Sequence, residues 1–123
     1  MHYMLLIYTN EDALARESAE EMTRIREGHR AVMGETASRG ILKGADPLQP
    51  TSTATTVRVQ DGKVLITDGP FAETKEQLAG YYILDCENLD EAIDWASKIP
   101  TGCGGREGCI EIRPLRVMPA YPQ

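Results

Sequence analysis

Apolar residues recur along this chain with two spacings, one of two residues and one of about 3.6, and each spacing predicts its own element. The opening run His2 to Tyr8 (HYMLLIY) is apolar on both faces, as expected of a central strand covered on each side. Ser18 to Glu21 reads as a capping box, in which a serine hydroxyl and a glutamate carboxylate satisfy free amides at a helix start. The helix it opens runs to about Arg39, and Gly40 is a natural stop. Met22, Ile25, Val32, Met33 and Ala37 form its apolar stripe, and His29 lies on that stripe, midway between Ile25 and Met33.

Ile41 and Leu42 begin a short extended piece that ends at Asp46-Pro47. Ala54 to Gln60 and Lys63 to Asp68 predict a hairpin around Asp61-Gly62. A two-residue turn fixes the register, so Val59 faces Val64 and Val57 faces Ile66. Asp68 then stands opposite Thr55, at the margin of the same apolar face. Gly69-Pro70 ends the hairpin and a polar connector, Phe71 to Gln77, follows it. Leu78 to Cys86 is the next strand, with Gly80 at a bend or a close contact. A cap-like pattern at Asn88 opens a second helix whose buried stripe is read as Leu89, Ala92, Ile93, Ala96 and Ile99. Trp95 falls off that stripe and is expected to be partly exposed or at an interface. Beyond a glycine-rich loop, Thr101 to Gly108, the segment Cys109 to Val117 alternates into a last strand before a Pro-rich tail.

This order is an α+β, ferredoxin-like β-α-β-β-α-β unit with an inserted β-hairpin. Two helices cover one face of a mostly antiparallel sheet. The apolar residues on the other face of the first strand need cover as well, and a second copy, sheet against sheet, supplies it. The expectation is a homodimer closing into an α/β barrel.

At 123 residues the chain suits a single domain spanning 1–123. Its net charge of −6 argues against nucleic acid and against an anionic membrane surface as partners. No segment approaches the roughly 18 apolar residues of a membrane span. The start has neither the basic lead-in nor the cleavage site of a signal peptide. Three cysteines, Cys86, Cys103 and Cys109, are odd in number and sparse, which fits reduced thiols in a cytoplasm. GCGGREGC reads as a glycine-rich loop in preference to a two-thiolate metal site. It neither follows a strand nor precedes a helix, so it is no phosphate or dinucleotide loop. No nucleophile elbow occurs. No metal and no cofactor is expected.

The segments MHYMLLIY, TATTVRVQDGKVLITDGPFAETKEQLAGYYILD, and EAIDWASKIP followed by EIRPL resemble the YCII-related proteins. The resemblance is to the branch named for an Asp-Gly-Pro-Phe motif, here Asp68 to Phe71, and spans nearly the whole chain. It implies a dimeric α+β barrel, similar in fold to muconolactone isomerases and antibiotic-biosynthesis monooxygenases. It also implies a histidine and an aspartate paired in a cleft, and Gly28-His29-Arg30 looks like the region that carries the histidine. Asp68 is the first choice of acidic partner on facing grounds, and Asp46 is the second.

Each candidate has a structural reading beside the functional one. His29 is either a packed residue of the helix face or a general acid or base, since an imidazole titrates near neutrality. Asp68 either caps its own turn or orients His29. Glu73 and Lys75 belong to a solvated charge run or rim a pocket, with Lys75 attracting an anionic ligand. Tyr81 and Tyr82 are neighbours in a strand, so one must point inward; Tyr81 is the candidate for lining a pocket, and a buried phenol needs a partner. Two functions follow. One is a cofactor-independent lyase, isomerase or hydrolase that moves a proton on a small substrate. The other is a non-catalytic ligand-binding module linked to transcription, because members of the branch are sometimes encoded beside extracytoplasmic-function sigma factors.

Overall fold

Burial alternates residue by residue along the first strand, β1 (His2–Thr9). Tyr3, Leu5, Ile7 and Thr9 are buried, and Met4, Leu6 and Tyr8 between them are half-buried. The computed structural model describes residues 1–102 and 107–119. Cys103 of the glycine-rich loop and the end of the Pro-rich tail lie outside the described residues.

After β1 the chain forms α1 (Glu11–Ala15), α2 (Ala19–Ser38) and β2 (Leu42–Pro47). A 3₁₀ turn (Thr51–Thr53) leads to β3 (Thr55–Gln60) and β4 (Lys63–Asp68). Then come β5 (Gln77–Asp85), α3 (Leu89–Ala96) and β6 (Cys109–Pro114). Ser18 caps α2 as expected, its hydroxyl accepting from the Glu21 amide at 3.0 Å. Gly40 closes the helix at φ +73. Helix α1 was not expected. Asn10 caps it by accepting from the Ala13 amide at 2.9 Å, a start signal masked because it abuts the end of β1 without a break.

Four strands form one antiparallel sheet in the order β2-β5-β1-β6, with α2 and α3 supplying the core on one face. The architecture is α+β and compatible with a ferredoxin-like fold. Strands β3 and β4 make a separate two-stranded sheet in the expected register, Val59 opposite Val64, Val57 opposite Ile66 and Thr55 opposite Asp68. Asp61 and Gly62 take φ of 50 and 77, the left-handed pair that such a turn needs. The hairpin's apolar face is open to solvent, with Val59 68% and Ile66 69% exposed.

Two stripes differ from expectation. In α2 the buried residues are Val32 and Thr36, while Met33 and Ala37 are exposed. Ile25, His29, Val32 and Thr36 keep helical spacing, but a threonine does not register as apolar. It tolerates burial because its hydroxyl donates to the Val32 carbonyl at 2.7 Å. In α3, Trp95 is 4% exposed and belongs to the core with Ala92 and Ile99, whereas Leu89 and Ile93 are 50% and 48% exposed. Turning the helix to bury the indole, its largest apolar surface, turns those two outward. Arg39 and Lys98 hold their charges 5.3 and 4.6 Å from the ring centre.

This orientation of α3 separates two substitutions. Trp95→Ala is expected to cost about 3–5 kcal/mol of stability in urea unfolding, as for other buried aromatics. Ile93→Ala is expected to cost less than about 1 kcal/mol.

Candidate functional site

Two glycines bring the elements of a cleft together. In α2, a Cβ on Gly28 would meet Pro100 Cγ at 3.0 Å, so a bare backbone lets the helix lie against the chain just past α3. The next residue, His29, reaches β5. In β5, a Cβ on Gly80 would stand 2.8 Å from the Asp46 carbonyl oxygen and 3.2 Å from Pro47 Cα. Glycine is therefore required where β5 passes β2 this closely, the close contact read from the sequence. The approach sets Asp46 opposite Tyr81, whose hydroxyl donates to Asp46 Oδ2 at 2.6 Å.

The cleft lies at the β2 edge of the sheet and has a volume of about 360 Å³. Helix α2 contributes Arg26, His29, Arg30 and Met33, β2 contributes Ala45 to Pro47, and β5 contributes Ala79 to Tyr82. Of the adjacent tyrosines, Tyr82 is the buried one. Its hydroxyl lies 2.8 Å from His29 Nδ1 and donates to the His29 carbonyl at 3.5 Å. The two ring planes are 16° apart. One tautomer satisfies both contacts: Nδ1–H donates to the Tyr82 oxygen while the Tyr82 hydroxyl donates to the backbone. Nε2 is then an unprotonated lone pair with no hydrogen-bond partner among the described residues.

Burial sets the protonation of the pair. Desolvation lowers the His29 pKa from 6.5, so the ring is neutral at pH 7. Desolvation pushes Tyr82 up to about 12, so it keeps its proton throughout the physiological range. The Tyr81 pKa is raised first by its hydrogen bond to Asp46, then by desolvation and by the charge of that carboxylate.

The residues singled out in the sequence fall into three places. His29, Asp46 and Tyr81 share the cleft, although no hydrogen bond joins His29 to Asp46. Glu73 lines a second, larger hollow of about 890 Å³ together with Glu11, Asp12 and Glu76, and with no basic side chain. Lys75 is exposed and lines neither space, so the anion-attracting rim expected there is instead an acidic wall. Asp68 is exposed at the open end of the hairpin and lines neither space. The pairing expected between Asp68 and His29 is not made within the chain. The backbone after Asp68 is stitched to β3 instead: the Gly69 amide donates to the Ala54 carbonyl at 2.7 Å, and Thr56 Oγ1 donates to the Gly69 carbonyl at 2.8 Å.

With this geometry in place, comparison with known proteins is informative. The YCII-related domain matches residues 1–119. The chain belongs to that family. An uncharacterised protein of Rhizobium meliloti (strain 1021) is similar to this YCII-related chain, 40% identical over 115 residues, which cover 94% of this chain and 92% of that protein.

Sequence reasoning missed three members of the cleft. Tyr82 was half-visible, since one of two adjacent strand tyrosines must face the helices and find a partner. Arg26 and Arg30 carried a signal that went unused: Arg26 is one helical turn before both His29 and Arg30, at i,i+3 and i,i+4 spacing.

Two measurements test the site. A Cβ at position 80 meets backbone, which cannot swing aside, so Gly80→Ala is expected to destabilise the protein by about 1–3 kcal/mol in urea unfolding. The lowered His29 pKa also fixes a pH dependence. Between the folded pKa and 6.5 the unfolded chain binds more protons, so stability is complete above pH 6.5 and falls as pH drops through the folded value. His29→Gln is expected to flatten that part of the stability profile; a slope unchanged by the substitution rules the assignment out.

Proposed function

We propose that this YCII-related protein is a cofactor-independent acid–base enzyme that moves a proton on a small molecule bound in the His29 cleft. The observation that carries the reading is the 2.8 Å contact between His29 Nδ1 and the Tyr82 hydroxyl; with the ring proton on Nδ1, Nε2 is the free base. Nδ1–H donates to the Tyr82 oxygen when the ring is neutral and can go on doing so once Nε2 has taken a proton. The transfer then requires no reorganisation of the partner. Asp46 lines the same cleft, its carboxylate held by the Tyr81 hydroxyl. The family resemblance adds a histidine and an aspartate in a cleft, and geometry favours Asp46 over Asp68 as the acid nearest that description. The products of such a step are those of an isomerase or a lyase, with proton return or loss of a leaving group completing the reaction.

The test is hydrogen exchange at carbon. Enolisable ketones, keto acids and lactones are incubated with the protein in D₂O and followed by proton NMR. At least one compound is expected to exchange, and His29→Gln is expected to slow that exchange by about 10²–10⁴-fold. The native rate is expected to fall as pH drops through the lowered His29 pKa, below 6.5, where Nε2 gains its proton. Exchange that ignores His29 ends the catalytic reading and leaves the ligand-binding module, which needs the cleft but not a free Nε2.

The working unit in this proposal is a pair of copies in the cytoplasm. By strand alternation Met4, Leu6 and Ile83 face away from the helices, as do Glu111 and Arg113 of β6. Such a face is self-complementary: a twofold axis sets apolar strands against each other and Arg113 of one copy near Glu111 of the next. Leu6→Glu is expected to convert a sedimenting dimer to a monomer, and a native chain that sediments as a monomer ends this part of the proposal.

A further inference from the structure

The His29 cleft carries two cations that the fold does not use. Arg26 and Arg30 both line it, and among the described residues neither makes an ion pair or a hydrogen bond through its side chain. Other arginines of α2 and its cap are paired, Arg24 with Glu21 at 3.5 Å and Arg39 with Glu35 at 2.6 Å. Like charges one turn apart on a helix repel and cost stability. Folding therefore gives no reason to place two unpaired guanidinium groups there. The chain is acidic, with 19 acidic against 13 basic residues, so carboxylates were plentiful had pairing been their purpose.

The charge in the cleft points to the ligand. Among the described lining residues Asp46 alone is acidic, and its Oδ2 accepts from Tyr81 on the face of β5 turned away from α2. Two guanidinium groups with no carboxylate on their side of β5 leave the cleft positive, which suits an anionic ligand group. Guanidinium groups suit this task, since their planar N–H forks bind a carboxylate in two-point fashion. Met33, Ala45, Pro47 and Ala79 give the rest of the wall an apolar character, suited to a compact hydrocarbon body.

We propose that Arg26 and Arg30 clamp the carboxylate of a small organic acid in the cleft, presenting carbon close to that carboxylate to His29. This rests on the reading of the cleft as a substrate site, and it names the substrate class that reading leaves open. Arg26 lies one helical turn before both His29 and Arg30, and all three line the cleft. An acid held by both is thereby oriented along α2, with its body toward β2 and β5.

Phenylacetate is the probe, phenylacetamide its neutral isostere, and ligand-observed saturation-transfer NMR the readout on the full chain. Phenylacetate is expected to bind about tenfold more tightly than the amide. Arg26→Gln and Arg30→Gln are each expected to weaken phenylacetate by about tenfold and leave the amide unchanged. Glutamine is a good helix former, and both side chains are exposed, so the fold is retained. Arg30→Lys is expected to restore part of the loss, as charge returns without the planar fork. Equal binding of acid and amide, native affinity in both glutamine variants, or no binding of phenylacetate at all overturns the clamp. His29→Gln separates the two proposals. It is expected to keep phenylacetate binding and lose carbon-proton exchange. Native exchange in that variant sinks the catalytic reading alone, because the acid-against-amide comparison judges the clamp independently.

Discussion

The register of β1 against β5 governs everything built on the sheet. Leu5 pairs with Tyr82 and Tyr3 with Leu84, so the side chains of both central strands that face the helices come from one alternating set. A slip of one residue would carry that set to the opposite face. Leu5 and Leu84, with no exposed surface at all, would leave the core, and Tyr81 would replace Tyr82 beneath α2. The cost of exposing those side chains fixes the register, and the register delivers a phenol to His29. The shift between Ile7 and Tyr8 along the same pair comes where Gly80 lets β2 close in. Core packing and site geometry are two outcomes of one alignment.

The partner of His29 decides what kind of base it is. A carboxylate on Nδ1 would favour the charged ring and raise its pKa. A buried phenol whose own pKa is about 12 contributes no charge, so desolvation acts unopposed and the imidazole stays neutral. The aspartate of the cleft is held by another tyrosine on the far side of the sheet edge. Two tyrosines adjacent in sequence thus hold the imidazole and the carboxylate apart, one on each face of β5. The cleft gathers the positive charges of Arg26 and Arg30 within a chain that is negative overall.

Features set by neighbours in sequence were readable from the sequence. The hairpin register followed from Asp61-Gly62, the α2 start from Ser18, and the close contact at Gly80 from a glycine inside a strand. His29 stood out by its position on an amphipathic helix. Features set by tertiary competition were not readable. The α3 stripe drawn through Leu89 and Ile93 has good spacing, and only the larger surface of Trp95 and the cations over its ring turn the helix elsewhere. Thr36 is apolar in effect because of a hydrogen bond to its own helix, which hydropathy does not count. Asp68 faces the way alternation places it, but alternation says nothing about where a hairpin lies relative to a helix. That relation depends on the sheet joining β2 to β5 and leaving β3 and β4 aside.

The path of the chain between β2 and β5 has a further implication. Pro47 pairs with Gly80, and the Leu48 amide donates to the Ala79 carbonyl at 2.8 Å, so the chain leaves the sheet and rejoins it at one spot. The hairpin is therefore an appendage tied off at its base, even though the Glu11 carboxylate moors Thr51 to α1. Its removal and replacement by a tight connection would leave strand order, register and both cleft glycines in place. The hairpin and the cleft can accordingly diverge as separate units, each altered without redesign of the other.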